Sequence, residues 1–354
     1  MPLPPAPSRE SGGLLRSVAL LSLEPWDDTW RRNQHLSVEL LRQGLVGHLT
    51  FVEPPVLGQR AHRWSPLPGI DVLRPALLVP KRAGGLATVG ALLRATVLRD
   101  VDVVWVNAAD LGRWCLPRGR PAVHDVTDDW RAFEQPPHIR ARLVAAEDAL
   151  ARRARTIVCS RVLADRWHER YGVQADVVHN GVDLRALTGV TPRDLGPGVH
   201  VGYVGTLHDE RLDVDLVERL AGSAVTVHLV GPDLLTDSGR LRAAGVLMHG
   251  PVPSTDVPSW MAAMDVLVSP HRVTDFTLSL DAIKSYEYLA TGRPVVATPT
   301  SGFQILQSAA LTVAGAETFV EAVLQAVGGR FAPDLSAGWD VRAREFAALL
   351  RATR

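Results

Sequence analysis

Two stretches carry most of the side chains able to do chemistry. The first, PAVHDVTDDW (residues 121–130), ends an apolar run with His124, Asp125, Asp128 and Asp129. Four titratable groups at one strand end put proton donors and acceptors where open α/β sheets hold ligands. An acidic loop that caps helices has the same look; the functional reading is preferred. The second, DAIKSYEYLATGRPVVATP (residues 281–299), reads as a helix over 281–290 closed by Gly292 and Pro294, with Ser279 or Asp281 as its cap. Ala282, Ile283, Tyr286, Leu289 and Ala290 share its apolar face, which leaves Lys284 and Glu287 on the other side. Alone, such a pair is ordinarily a solvated salt bridge. Lysine, however, occurs only at positions 81 and 284 in a chain rich in arginine, so a lysine inside a motif is informative.

The elements that must position these residues alternate. The runs SVALLSL, HLTFV, VDVVWVN, PAVHDV, TIVCS and DVVHN are followed by HVGYVGTL, VTVHLVG, VLMHG, DVLVSP and PVVATP. They are continuously apolar, as strands buried on both faces of a parallel sheet must be. Helical patterns such as 139–154 lie between them, so βαβ units and open parallel sheets are expected. The alternation breaks over 180–198, where an Asn-Gly turn precedes TPRDLGPG. That break predicts a leader over 1–16, a first domain over 17–190, a second over 191–335 with five strands, and a closing helical segment over 336–354. Its amphipathic helix, 341–352, reads as structural rather than membrane-binding.

Composition narrows the function. The chain has 354 residues, enough for two domains, and a formal charge of zero, which argues against nucleic acid or a broad field for an acidic membrane. Cys115 and Cys159 lack metal-ligand spacing and read as buried thiols in a reducing compartment. The leader lacks the pattern of a signal peptide, and no apolar run is long enough to span a bilayer. A cytoplasmic protein is expected, with contact at a membrane surface left open.

A glutamate in the second helix, a small-residue turn and Pro-Val-Val resemble the donor-binding motif of GT-B glycosyltransferases, the large retaining group 1, family 4-like type. AEDALARRARTIVCSRVLADRW (146–167), VVHNGVDL (177–184) and VGYVGTL (201–207) resemble that family's domain-closing helix–strand–helix, its junction turn and the first strand of its donor domain. The resemblance covers nearly the whole chain. It implies two Rossmann-like doubly wound domains facing a central cleft, an acceptor-side first half, a nucleotide-sugar-binding second half, and a last helix crossing back to the first domain. It further implies that Glu287 accepts hydrogen bonds from the nucleotide ribose, and that residues 278–282, Ser279 and Leu280 among them, face the diphosphate. Two positions depart from the family: Ser279 replaces a glutamate eight residues before Glu287, and Thr206, after Gly205, stands where an arginine is expected. Arg211 is the substitute cation preferred here, with Arg272 and Lys284 able to compensate.

In the first half, His124 matches the family's histidine facing acceptor and donor sugar, with Asp125 and Asp128 as candidates to take a proton. The first loop, LEPWDDTWRRNQH (23–35), resembles a bacterial cell-surface and secondary-metabolite subset and offers Trp26, Asp27, Arg31 and Arg32 on the acceptor side. The expected reaction moves a sugar from a nucleotide diphosphate sugar to a hydroxyl or amine of a small-molecule or lipid-linked acceptor, with retention carried by the resemblance. No cofactor or metal is expected; Asp213-Val-Asp215 reads as a helix cap. The alternatives weighed are a nucleotide-sugar epimerase of the same fold and a non-catalytic relative. A nicotinamide dehydrogenase ranks lower, because no Gly-x-Gly-x-x-Gly opens a helix after a first strand.

Overall fold

A computed structural model describes residues 14–116, 119–133 and 135–354. Residues 1–13 of the expected leader lie outside these, and its last two residues, Leu15 and Arg16, belong to the first strand. Leu15 is fully buried and pairs with Val46, so the strand starts earlier than its most apolar run suggests.

The chain divides into two compact units, the first reaching His179 and including 339–354, the second spanning Asn180–Gly338. The break in the alternation at 180–198 therefore lies wholly in the second unit. The first contains β1 (Leu15–Leu21), β2 (Val46–Val52), β3 (Val56–Leu57), β4 (His62–Leu67), β5 (Ile70–Arg74), β6 (Ala76–Leu77), β7 (Val103–Val106), β8 (Ala122–Val126), β9 (Arg155–Val158) and β10 (Asp176–Val177). Eight of them form one sheet in the order β10-β9-β8-β7-β1-β2-β5-β4, while β3 and β6 pair apart as a ribbon. Among the described residues of that sheet only β4 is antiparallel; it folds back on β5 through Gly69, whose φ of +84° suits a residue without a Cβ. This hairpin escapes the sequence reading because most of β4 is exposed and its apolar run is broken.

Helices cover both faces. The helix Arg161–Tyr171 starts at Ser160, whose hydroxyl accepts from the Leu163 N–H, and ends at Gly172 in the left-handed region. The helix expected over 139–154 runs Pro137–Ala151, with proline in its first turn. The last helix, Trp339–Ala352, belongs to the first unit. Trp339 stacks on His35 with ring centroids 5.1 Å apart, and Phe346 lies 4.6 Å from the fully buried Trp105. Cys115 and Cys159 are buried free thiols, and burial pushes the Cys115 pKa up to about 12.

The second unit holds β11 (His200–Val204), β12 (Leu207–His208), β13 (Thr226–Val230), β14 (Asp233–Leu234), β15 (Leu247–Gly250), β16 (Val266–Ser269), β17 (Val295–Ala297) and β18 (Leu311–Val313). Its sheet has the order β15-β13-β11-β16-β17-β18, parallel throughout, with β12 and β14 paired apart. Six strands stand where five were expected; β18 is three residues long and partly exposed, too short for a pattern to show. In both sheets the first strand is flanked by strands reached in opposite directions. The switch points lie between β1 and β7 and between β11 and β16, and their carboxyl ends are where open sheets take ligands.

One face of the second sheet carries a row of histidines. His200 Nε2 meets the Gly196 carbonyl at 3.1 Å, His200 Nδ1 meets His228 Nε2 at 3.0 Å, and His228 Nδ1 meets His249 Nε2 at 3.0 Å. A carbonyl only accepts, so each neutral ring donates from Nε2 to the one before it. A second proton on His228 would have to point at another N–H. Burial, His249 and His200 together hold its pKa down at about 4. The unfolded chain takes up that proton near pH 6.5, the folded unit only near 4, so the stability conferred by the neutral ring is complete above 6.5 and is lost as pH falls towards 4. Each such histidine costs about 1.4 kcal/mol per pH unit in that window. We expect the midpoint of thermal unfolding to drop between pH 7 and pH 5, and His228→Leu to flatten the drop. An equal pH slope in the variant would show that the row does not stay neutral.

Candidate functional site

In the second unit the site is built on backbone contact. β11 is followed by Gly205 (φ +146°) and β13 by Gly231 (φ +143°), and the Gly205 N–H donates to the Val230 carbonyl at 2.7 Å. A Cβ on Gly231 would stand 2.2 Å from the Gly205 carbonyl oxygen, so no side chain fits there. The Lys284 ammonium lies against the turn, 2.2 Å from where a Gly205 Cβ would be, and 5.1 Å from the Tyr203 ring centroid.

The helix that carries Lys284 is Ile283–Leu289, shorter than expected at both ends. Neither Ser279 nor Asp281 caps it. Ala282 stands at the cap position without a side-chain bond, Ser279 Oγ donates to the Phe276 carbonyl at 2.6 Å, and Asp281 accepts from Tyr286 Oη at 2.7 Å. Asp281 also takes the Asn180 N–H, which ties the junction turn to this helix. Ser279 and Leu280 are buried, so their side chains face the interior and any ligand contact there is left to the main chain. The Tyr288 hydroxyl accepts from the Val204 N–H at 2.8 Å and returns its proton to the Val204 carbonyl at 3.2 Å, fixing the helix to the end of β11.

Lys284 and Glu287 do not close the salt bridge that their spacing allows; among the described residues neither makes an ion pair. Burial raises the Glu287 carboxyl, with Lys284 acting against it. Arg211 lies with its guanidinium 5.5 Å from the Phe276 ring centroid. Arg272 is exposed, but its Nε donates to the Leu212 carbonyl at 3.3 Å and its N–H to the Arg211 carbonyl at 2.7 Å, locking two strand-end loops together. Thr206 contributes its carbonyl to Tyr203 Oη at 3.2 Å, and His271 Nε2 approaches the same hydroxyl at 3.3 Å. The sequence reading missed His208 and His271. Burial first, then the charges of Lys284 and Arg211, lowers both, His271 to about 3. Lys284 and Arg211 add positive charge beside these two rings at the carboxyl ends of β11 and β16, where an anion is favoured. Three of the nearby acids are engaged: Asp213 caps the helix Val214–Ala221, Asp215 pairs with Arg240 at 2.9 Å, and Asp209 holds Thr236.

The first unit disposes of its charges differently. Asp125 is not available to take a proton. It is fully buried, accepts both Arg32 Nε and Nη2 at 3.0 Å, and accepts Trp105 Nε1 at 3.2 Å. The same pairing removes Arg32 from the acceptor side, since Arg32 is 4% exposed. Asp129 is likewise internal, held by Arg166 at 2.8 Å and Arg170 at 2.7 Å. Asp128 remains half-buried and accepts Thr127 Oγ1 at 3.1 Å. His124 is 2% exposed, edge-on to Trp167, and burial lowers its pKa to about 3, so it is neutral. Its Nδ1 has no hydrogen-bond partner among the described residues. It lines a small cavity with Asn107, Thr127, Trp130 and Glu147.

The first loop mostly packs on itself. Trp26 lies 5.2 Å from the Phe51 ring and donates its N–H to Glu53 Oε1 at 2.8 Å, and Arg31 pairs with Asp27 at 3.1 Å and Glu24 at 3.5 Å. Asn107, unremarked in the sequence, gathers the switch point: its Oδ1 accepts from Asn33 at 2.8 Å and from the Leu23 N–H at 3.1 Å, and its Nδ2 donates to the Asp125 carbonyl at 3.1 Å. Among the described residues no three His, Cys, Asp or Glu side chains converge as a cation site.

Breaking a buried pair strands a charge in the core, at a cost of about 3–5 kcal/mol. Asp125→Asn is therefore expected to lower the denaturation midpoint strongly, whereas Asp128→Asn leaves it near wild type. Equal midpoints for the two variants would return Asp125 to the solvent-facing candidates.

The chain resembles known proteins in sequence and in fold. Residues 31–186 match the family model described as Glycosyltransferase Family 4, and residues 198–328 match that described as Glycosyl transferases group 1. The chain is 25% identical over 257 residues to the putative teichuronic acid biosynthesis glycosyltransferase TuaH of Bacillus subtilis (strain 168), an overlap of 67% of this chain. It spans 60% of that relative's length. Its fold is that of sucrose-phosphate synthase from Thermosynechococcus elongatus, with a TM-score of 0.69 at 16% identity over 95% of this chain and 94% of the other. Anabaena HepE in complex with UDP aligns with a TM-score of 0.60 at 15% identity over 96% and 97%. With two parallel doubly wound sheets, both family models in chain order and this fold likeness, the chain belongs to the group 1, family 4-like glycosyltransferases of GT-B architecture.

Proposed function

We propose that this protein transfers a glycosyl group from a nucleoside diphosphate sugar to a hydroxyl or amine of an acceptor. In that reaction the bond from the anomeric carbon to the diphosphate oxygen breaks, the bond to the acceptor oxygen or nitrogen forms, and the acceptor gives up a proton. The observation that carries the reading is the turn at Gly205, where the Lys284 ammonium lies against the main chain and a carboxylate, Glu287, makes no ion pair among the described residues. Negative charge develops on the departing diphosphate, and cations already fixed beside that position stabilise it without reorganising. Glu287 supplies two acceptor oxygens for ribose hydroxyls, whose bonds would offset the burial that raises its carboxyl. The UDP bound by HepE supports a nucleoside diphosphate as ligand.

Finer features of the proposal rest on the resemblance. Retained configuration is one, and transfer without a metal is another, because the cations at the turn supply the charge a metal would. The name of the Bacillus relative supports a cell-surface glycan as the setting; natural-product synthesis is the second setting of the subset. The first unit contributes His124. With its pKa near 3 it cannot hold a proton at neutral pH, so it orients a sugar hydroxyl through Nδ1 rather than acting as general base. Asp128 is then the carboxylate left to receive the acceptor's proton.

Calorimetry against a panel of nucleoside diphosphates, without added metal, tests the site. A hydrogen bond to a charged group contributes about 1.5–3 kcal/mol, so Glu287→Ala is expected to weaken the preferred nucleotide roughly tenfold to a hundredfold with little change in unfolding temperature. An unchanged Kd rejects the assignment. His124→Ala should bind the nucleotide like wild type and turn over at least about tenfold more slowly; wild-type turnover removes His124 from the mechanism.

A further inference from the structure

The first unit has a second surface of distinct chemistry. Just beyond the carboxyl ends of β2 and β5 the ribbon of β3 and β6 presents Val56 (45% exposed), Leu57 (53%), Leu78 (85%) and Val79 (39%) side by side. These are not frayed. The Gly58 N–H donates to the Leu77 carbonyl at 3.1 Å, the Gln59 N–H to Val56 at 3.2 Å, and Leu77 is anchored in the core. The helix Gly85–Ala95 starts directly beneath; a Cβ on Gly85 would fall 1.9 Å from the Val79 carbonyl oxygen, so the loop is braced from below.

Charge follows the same stretch. From 54 to 99 the chain has seven basic side chains and one carboxylate, Asp71, within a protein of zero formal charge. Arg63 is paired with Asp71 and Arg74 with Glu53. Arg60, Lys81 and Arg82, next to the exposed apolar side chains, make no ion pair among the described residues. An apolar projection ringed by unpaired cations suits a boundary where hydrocarbon lies under phosphate. A second copy of the same surface would set cation against cation, which disfavours self-association.

We propose that this edge, Val56, Leu57, Leu78 and Val79 with Arg60, Lys81 and Arg82, docks the protein on an anionic lipid bilayer. The apolar side chains enter the headgroup region, and the three cations lie at the level of the lipid phosphates. The edge lies beyond the same carboxyl ends of the first sheet at which His124 stands, so docking would bring that end of the sheet to the lipid surface.

The test uses the full chain and reads no catalysis, so it stands or falls apart from the transfer reaction. Sedimentation with vesicles of phosphatidylcholine alone, and with phosphatidylglycerol added, is measured at low and high salt. Wild type is expected to bind the phosphatidylglycerol vesicles, less so as salt rises. Lys81→Gln and Arg82→Gln should each weaken the partition by roughly fivefold. Leu78→Asp, at a position too exposed to disturb the core, should abolish it while thermal unfolding stays at the wild-type midpoint. Failure of wild type to bind anionic vesicles, or equal binding by Leu78→Asp, overturns the proposal. So does a dimer or a complex with an acidic protein that Leu78→Asp dissolves while vesicle binding is absent.

Discussion

No atom fits between Gly231 and the carbonyl of Gly205. A Cβ there would sit 2.2 Å from the oxygen, and the arrangement around the Gly205 turn depends on that closeness. Beside this backbone contact Lys284 lies against the Gly205 turn and makes no ion pair with Glu287. Tyr288, the residue after Glu287, holds the main chain of Val204 through both its N–H and its carbonyl. The cation, the carboxylate and the turn are thus set by one short helix bound to one strand end.

The two units treat charge in opposite ways. Around β8 the first neutralises its buried charges internally: Arg32 with Asp125, Arg166 and Arg170 with Asp129, Arg131 with Glu147 at 2.8 Å. Such pairs are expensive to desolvate and tolerate no missing partner, so they specify one arrangement of β8 and the helices over it. At the Gly205 turn the second leaves Lys284 and Glu287 without an ion pair among the described residues. Polar groups held in place without a protein partner are what a charged ligand requires, whereas a satisfied network only stiffens the fold.

These differences explain what could be read in advance. The strands were legible because a parallel sheet buried on both faces needs unbroken Val, Leu and Ile runs, and the turn at Gly205 was legible only through the family resemblance of 201–207. The pairing of Arg32 with Asp125 joins residues 93 positions apart, and nothing local in either segment signals it. Hence Asp125 and Arg32 looked like a base and an acceptor contact when each completes the other in the core. The helix start was misplaced for a related reason. Ser279 and Asp281 are good caps in isolation, but Phe276, Tyr286 and Asn180 claim their oxygens first. His271 and His208 lacked any sequence signal, since their meaning lies in the cations that approach them from other loops.

The near absence of lysine acquires a meaning once both lysines are placed. Arginine supplies almost all the positive charge, and it is inert to reagents that acylate amines. Beyond the chain's first residue, the primary amines are therefore Lys284, folded against the Gly205 turn, and Lys81, on the apolar edge of the first unit. A single acylating reagent thus has two internal targets, one at each of the surfaces argued to meet something outside the protein. Occupancy of either surface becomes readable as protection of one peptide, without altering any residue.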